Sequence, residues 1–277
     1  MLFALARRLL TLLCVIFCIA YPIALVGITF NVQPSFSLTW AGSALLLLEG
    51  GMLILAALLA YGFTQTVCAN LVVIVLSTLA EHIGVSTGFP FGTYVYTNIL
   101  QPHITTLVPL AVPFAWILVI LGAYGLLRGL SLEKRRIGIG GVLLGSILAL
   151  LLDLAIEPVA TAIEHYWTWT SPGPFNYYGV PITNFIAWFC IALILLFLVD
   201  LCFVQPRALP SAPGRRGRIR QRLPRLLPGW LFVASLVLFG CVDLTHAFYI
   251  GTVCAVCALL AAALCWLLSR RAWPYRR

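Results

Sequence analysis

Apolar residues run through this chain in long blocks, separated by short polar stretches. The blocks lie at 9–29, 39–60, 67–85, 107–127, 138–157, 181–204, 229–247 and 251–269. A helix needs about 20 apolar residues to cross a ~30 Å hydrocarbon layer. In lipid every backbone amide and carbonyl must also be paired within its own segment, which rules out irregular chain. The pattern therefore predicts an all-α, polytopic integral membrane bundle of about eight transmembrane helices. Only "HAFYIG" divides the last two blocks, so seven spans is the alternative count.

Composition supports lipid as the solvent: 62% of the 277 residues are hydrophobic, and the mean hydropathy is +1.05. Charge then decides the count. All 17 Lys and Arg fall in four places: Arg7 and Arg8, 128–136, 207–225 and 270–277. Eight helices with a cytoplasmic start put every one of these on the cytoplasmic side, as the positive-inside rule requires. The loops at 30–38, 86–106, 158–180 and 248–250 hold no Lys or Arg and face outward. Seven helices would leave the C-terminal arginines outside, so both termini are expected in the cytoplasm of a multi-pass cell-membrane protein. The net charge of +9 then reflects attraction to anionic headgroups and needs no nucleic-acid partner.

Residues 1–277 read as a single membrane domain, with 205–228 a basic cytoplasmic loop. Residues 1–29 resemble a signal peptide, but their apolar run is long and Pro22 interrupts the cleavage region, so a retained first span is expected. The nine cysteines sit within or beside apolar helices. Cys254 and Cys257 form a CxxC without a second pair or matching histidines, so packing is the reading and no metal is expected.

Sliding the chain by 72 residues lays helices 3–4 over helices 5–6. Glu81 falls on Asp153, and "VPLAVPFAW" (108–116) falls on "VPITNFIAW" (180–188). This offset suggests a parallel tandem repeat within a 67–204 core.

The acids carry the candidate chemistry. Glu133 and Asp200 lie near cytoplasmic arginines, with Arg207 in reach of Asp200, and Glu49 is near the middle of helix 2. Glu81, Asp153, Glu157 and Asp243 lie toward the outer face, with Glu164 in an outer loop and all four histidines on that side. Acids inside a membrane are costly and mark functional sites. Without a basic partner such a carboxyl is expected to hold its proton. Asp153 and Glu157, four apart, share one helix face, with Pro158 expected to end that helix at the rim. A neutral acid beside a carboxylate is the pairing that general acid–base chemistry needs. Around them the outer loops are rich in aromatics, including Tyr94, Tyr96, Trp167, Trp169 and Tyr178, and the return helices carry Trp116 and Trp188. Such rings form an interfacial belt or stabilise a developing cation.

The stretches "EHIGVSTGFPFGTYVYT", "VPLAVPFAW", "DLAIEP", "WTW" and "YYGVPITNFIAW" resemble the carotenoid biosynthesis hydratase family over roughly residues 75–190. Ala187 stands where that family's pattern has glycine. The resemblance implies addition of water across the terminal C1′=C2′ double bond of a carotenoid ψ-end, with no cofactor or metal. On that reading Glu81 or Asp153 donates the proton and Glu157 orients or deprotonates water. His82, Tyr94, Tyr96, Trp116, Trp167, Trp169, Tyr178, Asn184 and Trp188 would surround the end group. Partners would be a carotenoid drawn from the bilayer, membrane lipids and other carotenoid enzymes. The rival classes are a proton or cation transporter using Glu49, Glu81 and Asp243, and a non-catalytic assembly subunit. A prenyltransferase lacks its paired Asp-rich motifs here, and a di-iron hydroxylase lacks its clustered histidines.

Overall fold

The computed structural model describes residues 1–32, 34–128, 136–204 and 214–271. Among these residues stand eight helices long and apolar enough to cross a membrane: α1 (Leu2–Thr29), α2 (Ala41–Tyr61), α3 (Phe63–Thr87), α4 (Ala111–Arg128), α5 (Gly138–Pro158), α6 (Ile182–Cys202), α7 (Gly214–Thr245) and α8 (Tyr249–Arg271). The α7–α8 connection is a tight turn in which the Phe248 amide donates to the Asp243 carbonyl at 2.8 Å. That turn splits the last apolar block in two and gives the eight-helix count.

Two boundaries differ from expectation. Helix α7 begins at Gly214, so part of the stretch expected as a basic loop is helical. Arg, Leu and Gln are strong helix formers, and the charge is carried on a helix. Its apolar crossing segment is Leu223–Thr245. The basic positions within 129–135, 205–213 and 272–277, the setting of Glu133 and the reach of Arg207 toward Asp200 lie outside the described residues. Among the described residues Asp200 accepts from the backbone amides of Ile137 (2.9 Å) and Gly138 (3.2 Å). It thereby caps the start of α5, where a negative charge complements the helix dipole.

The second difference is at Pro158. The α-helix ends at Pro158 as expected, but the chain stays helical through one π-helical turn, Val159–Ile163. Proline has no amide hydrogen for the carbonyl four residues back. That carbonyl, on Leu154, accepts the Tyr177 hydroxyl at 2.8 Å, so the break in the ladder is satisfied from outside and the chain can run on.

Helix α4 is central and packs against α2, α3, α5 and α7, while α1 lies at the edge against α2 and α7. Trp116, Ile117, Ile120, Leu148, Leu195 and Phe232 fill the core. At one end of the bundle the loops fold into two small antiparallel ribbons, which no strand signal in the sequence anticipates. Strand β1 (Tyr94–Tyr96) pairs with β2 (Trp167–Trp169), and β3 (Asn176–Tyr177) pairs with β4 (Val180–Pro181), which leads into α6. Each strand is only two or three residues long, too short for period-2 alternation to register. The β1–β2 ribbon joins, to within a residue, the segments that the 72-residue offset superimposes. Trp116 and Trp188, also 72 apart, stack with centroids 3.9 Å apart and planes 11° from parallel. Helix α3 packs on α6 and α4 on α5.

Candidate active site

The β1–β2 ribbon forms the roof of the site. In a strand, residues two apart point to the same face. Tyr94 and Tyr96 therefore both reach down to Glu81 on α3, donating to Oε2 at 2.5 and 2.8 Å. Trp116 on α4 donates its indole N–H to Oε1 of the same carboxyl at 2.9 Å. Trp167 and Trp169, two apart on β2, donate to Glu157 Oε2 at 3.1 and 3.2 Å. Asn184 Nδ2, in the first turn of α6, donates to Glu157 Oε1 at 2.9 Å. The ribbon thus aims two phenols at one carboxyl and two indoles at the other.

Each glutamate accepts three hydrogen bonds and both its oxygens are engaged. Hydrogen bonds to a charged group contribute about 1.5–3 kcal/mol each, so this arrangement suits a carboxylate. Burial, followed by the neighbouring Glu81 charge, holds the Tyr94 and Tyr96 phenols above the usual tyrosine range, which keeps them as donors. Asp153 is built differently. It is fully buried, its Oδ2 lies 3.5 Å from Asn184 Nδ2, and its Oδ1 has no partner among the described residues. Asn184 therefore joins Asp153 to Glu157.

These groups open onto a cavity of about 1540 Å³, larger than the ~300–1,000 Å³ usual for small-molecule pockets. Glu81, Glu157, Asn184, Tyr94, Tyr96, Trp116, Trp167, Trp169 and Trp188 line it, and it extends between α1, α2 and α7 as far as Glu49 and Ser235. Its lining on α1, α2, α4 and α7 comes from the halves nearest the ribbon. At the rim the Tyr166 hydroxyl rests on Gly42, in the space a side chain there would fill. Glu164, also at the rim, is held above the usual carboxylate range by burial, an effect its hydrogen bond to Tyr166 partly offsets.

Three predicted residues stand apart from this cavity. Asp153 lies behind Asn184 and is not part of the wall. His82 is adjacent to Glu81 in sequence but does not line the cavity, and its Nδ1 is buried without a partner among the described residues. Tyr178 lies at the α7–α8 turn, its ring 5.1 Å from Phe248 and its hydroxyl accepting the Ile250 amide. From the sequence, Glu49 had a role only in the rival transporter path, and the walls from α1 and α7 had none. The available signal was Glu49 itself, an acid inside an apolar helix. Among the described residues no group of three or more His, Cys, Asp or Glu is placed to hold a metal ion.

Eight helices apolar enough to cross a membrane, with a cavity walled by carboxyls and aromatic rings, mark a polytopic membrane protein. The chain belongs to the carotenoid biosynthesis protein family, whose family model matches residues 41–262. That match runs from α2 into α8, wider than the 75–190 stretch that carries the motif resemblance. Bisanhydrobacterioruberin hydratase of Haloarcula japonica is 32% identical over 188 residues, which are 67% of this chain and 58% of that protein. The chain thus spans less than two thirds of that relative's length. No solved structure gives a significant match.

Proposed function

We propose that this protein is a carotenoid 1,2-hydratase of the cell membrane, adding water across the terminal C1′=C2′ bond of an acyclic carotenoid ψ-end to give a tertiary alcohol. The observation that carries the reading is the pair of carboxyls, Glu81 and Glu157, each held by three donors and facing one aromatic-walled, apolar cavity. Protonation of the alkene at its less substituted carbon leaves a tertiary cation. Fixed carboxylates stabilise such a charge without reorganisation, and the faces of Tyr94, Tyr96, Trp116, Trp167, Trp169 and Trp188 add cation–π attraction of about 2 kcal/mol or more when desolvated. Glu157, with Asn184 beside it, orients water and takes its proton. Asp153 has an oxygen free to carry a proton, and the Asn184 amide, donating to both acids, holds Asp153 and Glu157 in place.

In this reading the ribbon end faces outward and the basic ends face the cytoplasm, so the carotenoid enters from the bilayer with its tip under the ribbon. We assign the 72-residue offset to a tandem duplication, in keeping with the stacked Trp116–Trp188 pair. A proton or cation channel is disfavoured, because it would need a route lined along the basic-end halves of the helices. The test is expression in a lycopene-producing host with mass analysis of the pigments. A gain of one or two waters is the expected result. Unchanged lycopene and unchanged longer acyclic carotenoids, with good expression, would overturn the reading.

A further inference from the structure

Alkene hydration needs a first proton, delivered by a group that both faces the substrate and has an oxygen free of donors. Glu81 and Glu157 face the cavity, but every oxygen is engaged. Asp153 has a free oxygen but is not part of the cavity wall.

Glu49 meets both conditions. It lies on α2, is 4% exposed, lines the same cavity, and makes no hydrogen bond among the described residues. Its depth is fixed by its neighbour. Gly50 lies so close to α4 that a Cβ there would come within 2.5 Å of Phe114, two residues before Trp116. At 1.5 Å rise per residue, the Glu49 backbone lies within about one helical turn of Trp116, whose indole binds Glu81. Ala115, Trp116 and Val119 belong to the same wall, and Tyr21 on α1 lines it as well.

We propose that Glu49 is the general acid of the hydration, an assignment that rests on the hydratase reading. Its O–H bond breaks as the new C2′–H bond forms, and the alkene π electrons make that bond, leaving the cation at C1′. A lone pair of water then forms the C1′–O bond, and the surplus proton passes to Glu157. The cycle closes when that proton returns to Glu49, so the net change is alkene plus water to alcohol. Glu81 remains a carboxylate throughout.

The test compares wild type, Glu49→Gln and Glu49→Asp in the lycopene-producing host, with polyene binding followed on purified protein by the absorption shift of the bound pigment. Removing a general acid should lower hydration by about 10²-fold or more. Glu49→Gln should bind lycopene as wild type does, and Glu49→Asp should recover part of the rate. Glu49→Gln that hydrates within threefold of wild type overturns the assignment. So does Glu49→Gln that loses pigment binding, or Glu49→Asp as inactive as Glu49→Gln. A wild type that hydrates no acyclic carotenoid removes the hydratase reading itself, a result separable from an active variant beside an active wild type.

Discussion

The unit α3–β1–α4 and the unit α5–β2–α6 each bring a helix, a strand and a second helix to the site, and they differ where the chemistry is. Positions 72 apart place Glu81 against Asp153 and Trp116 against Trp188, but Val85 against Glu157 and Val112 against Asn184. In the first unit one carboxyl takes the ribbon's two phenols and its own tryptophan. In the second the corresponding acid is buried with a free oxygen, and an extra glutamate one turn further on takes the ribbon's donors. Trp188 stacks on Trp116, and an asparagine serves the acids in its place. The differences at 157 and 184, where the offset positions are apolar, thus make the two sides of the site unlike. On the proposed hydratase reading, the cation and the water would occupy those two unlike sides.

The largest expected effect comes from removing the charge on either side. Glu81→Gln and Glu157→Gln should each lower carotenoid hydration by about 10²–10³-fold, the scale for losing a fixed electrostatic partner of a transition state. Asp153→Asn, which disturbs the Asn184 amide held between Asp153 and Glu157, should abolish turnover as well. Pigment mass analysis reads the rate, and detergent-solubilised gel filtration checks that the variants remain folded. Wild-type rates in Glu81→Gln would mean that the first unit is scaffold only.

A smaller effect separates the two tryptophans. Trp116→Phe keeps a ring in the stack but removes the indole donor to Glu81, leaving a buried carboxyl one bond short, at about 1.5–3 kcal/mol. Trp188→Phe loses no hydrogen bond found among the described residues. Turnover should therefore fall about 10–100-fold in the first and only a few-fold in the second. Equal losses would show that stacking area, and not the Glu81 hydrogen bond, is what the pair contributes.

Exchanging the unlike positions sharpens the comparison further. Asn184→Val makes the second unit resemble the first, strips one donor from Glu157 and should cost about tenfold in rate. Val112→Asn makes the reverse change at a buried apolar position of α4. It should lower thermal stability by about 1–3 kcal/mol without improving turnover. A gain in rate from Val112→Asn would show that the inequality of the two units is incidental.

The sequence made the membrane class and the helix count legible because each span writes its own signal: a block of apolar residues bounded by charge. It also marked Glu81, Asp153 and Glu157, since an acid in such a block has no bland place to hide. What it could not show was their pairing. The roof of the site is a ribbon of three-residue strands, too short to leave an alternating pattern, and only that ribbon reveals that tyrosines serve Glu81 and tryptophans serve Glu157. Glu49 was visible as an acid but not as part of the site, because its side of the cavity is formed by α1, α2 and α7, far from the motifs in sequence. Pro158 read as a helix end since a lost hydrogen bond is visible in sequence and its replacement by Tyr177, 19 residues on, is not.

The smallest effect is expected where the ribbon's aromatic supply passes outside the cavity. Tyr178 is 38% exposed, packs its edge on Phe248 and accepts the Ile250 amide. Its offset partner is Thr106, so neither unit places a carboxyl's donor at this position. Tyr178→Phe removes only an acceptor at an exposed turn, and such surface changes usually stay within about 0.5 kcal/mol. Hydration should stay within threefold of wild type, while Tyr96→Phe, one donor fewer on Glu81, should fall further. If Tyr178→Phe loses more activity than Tyr96→Phe, the α7–α8 turn belongs to the substrate path and the site extends beyond the two units.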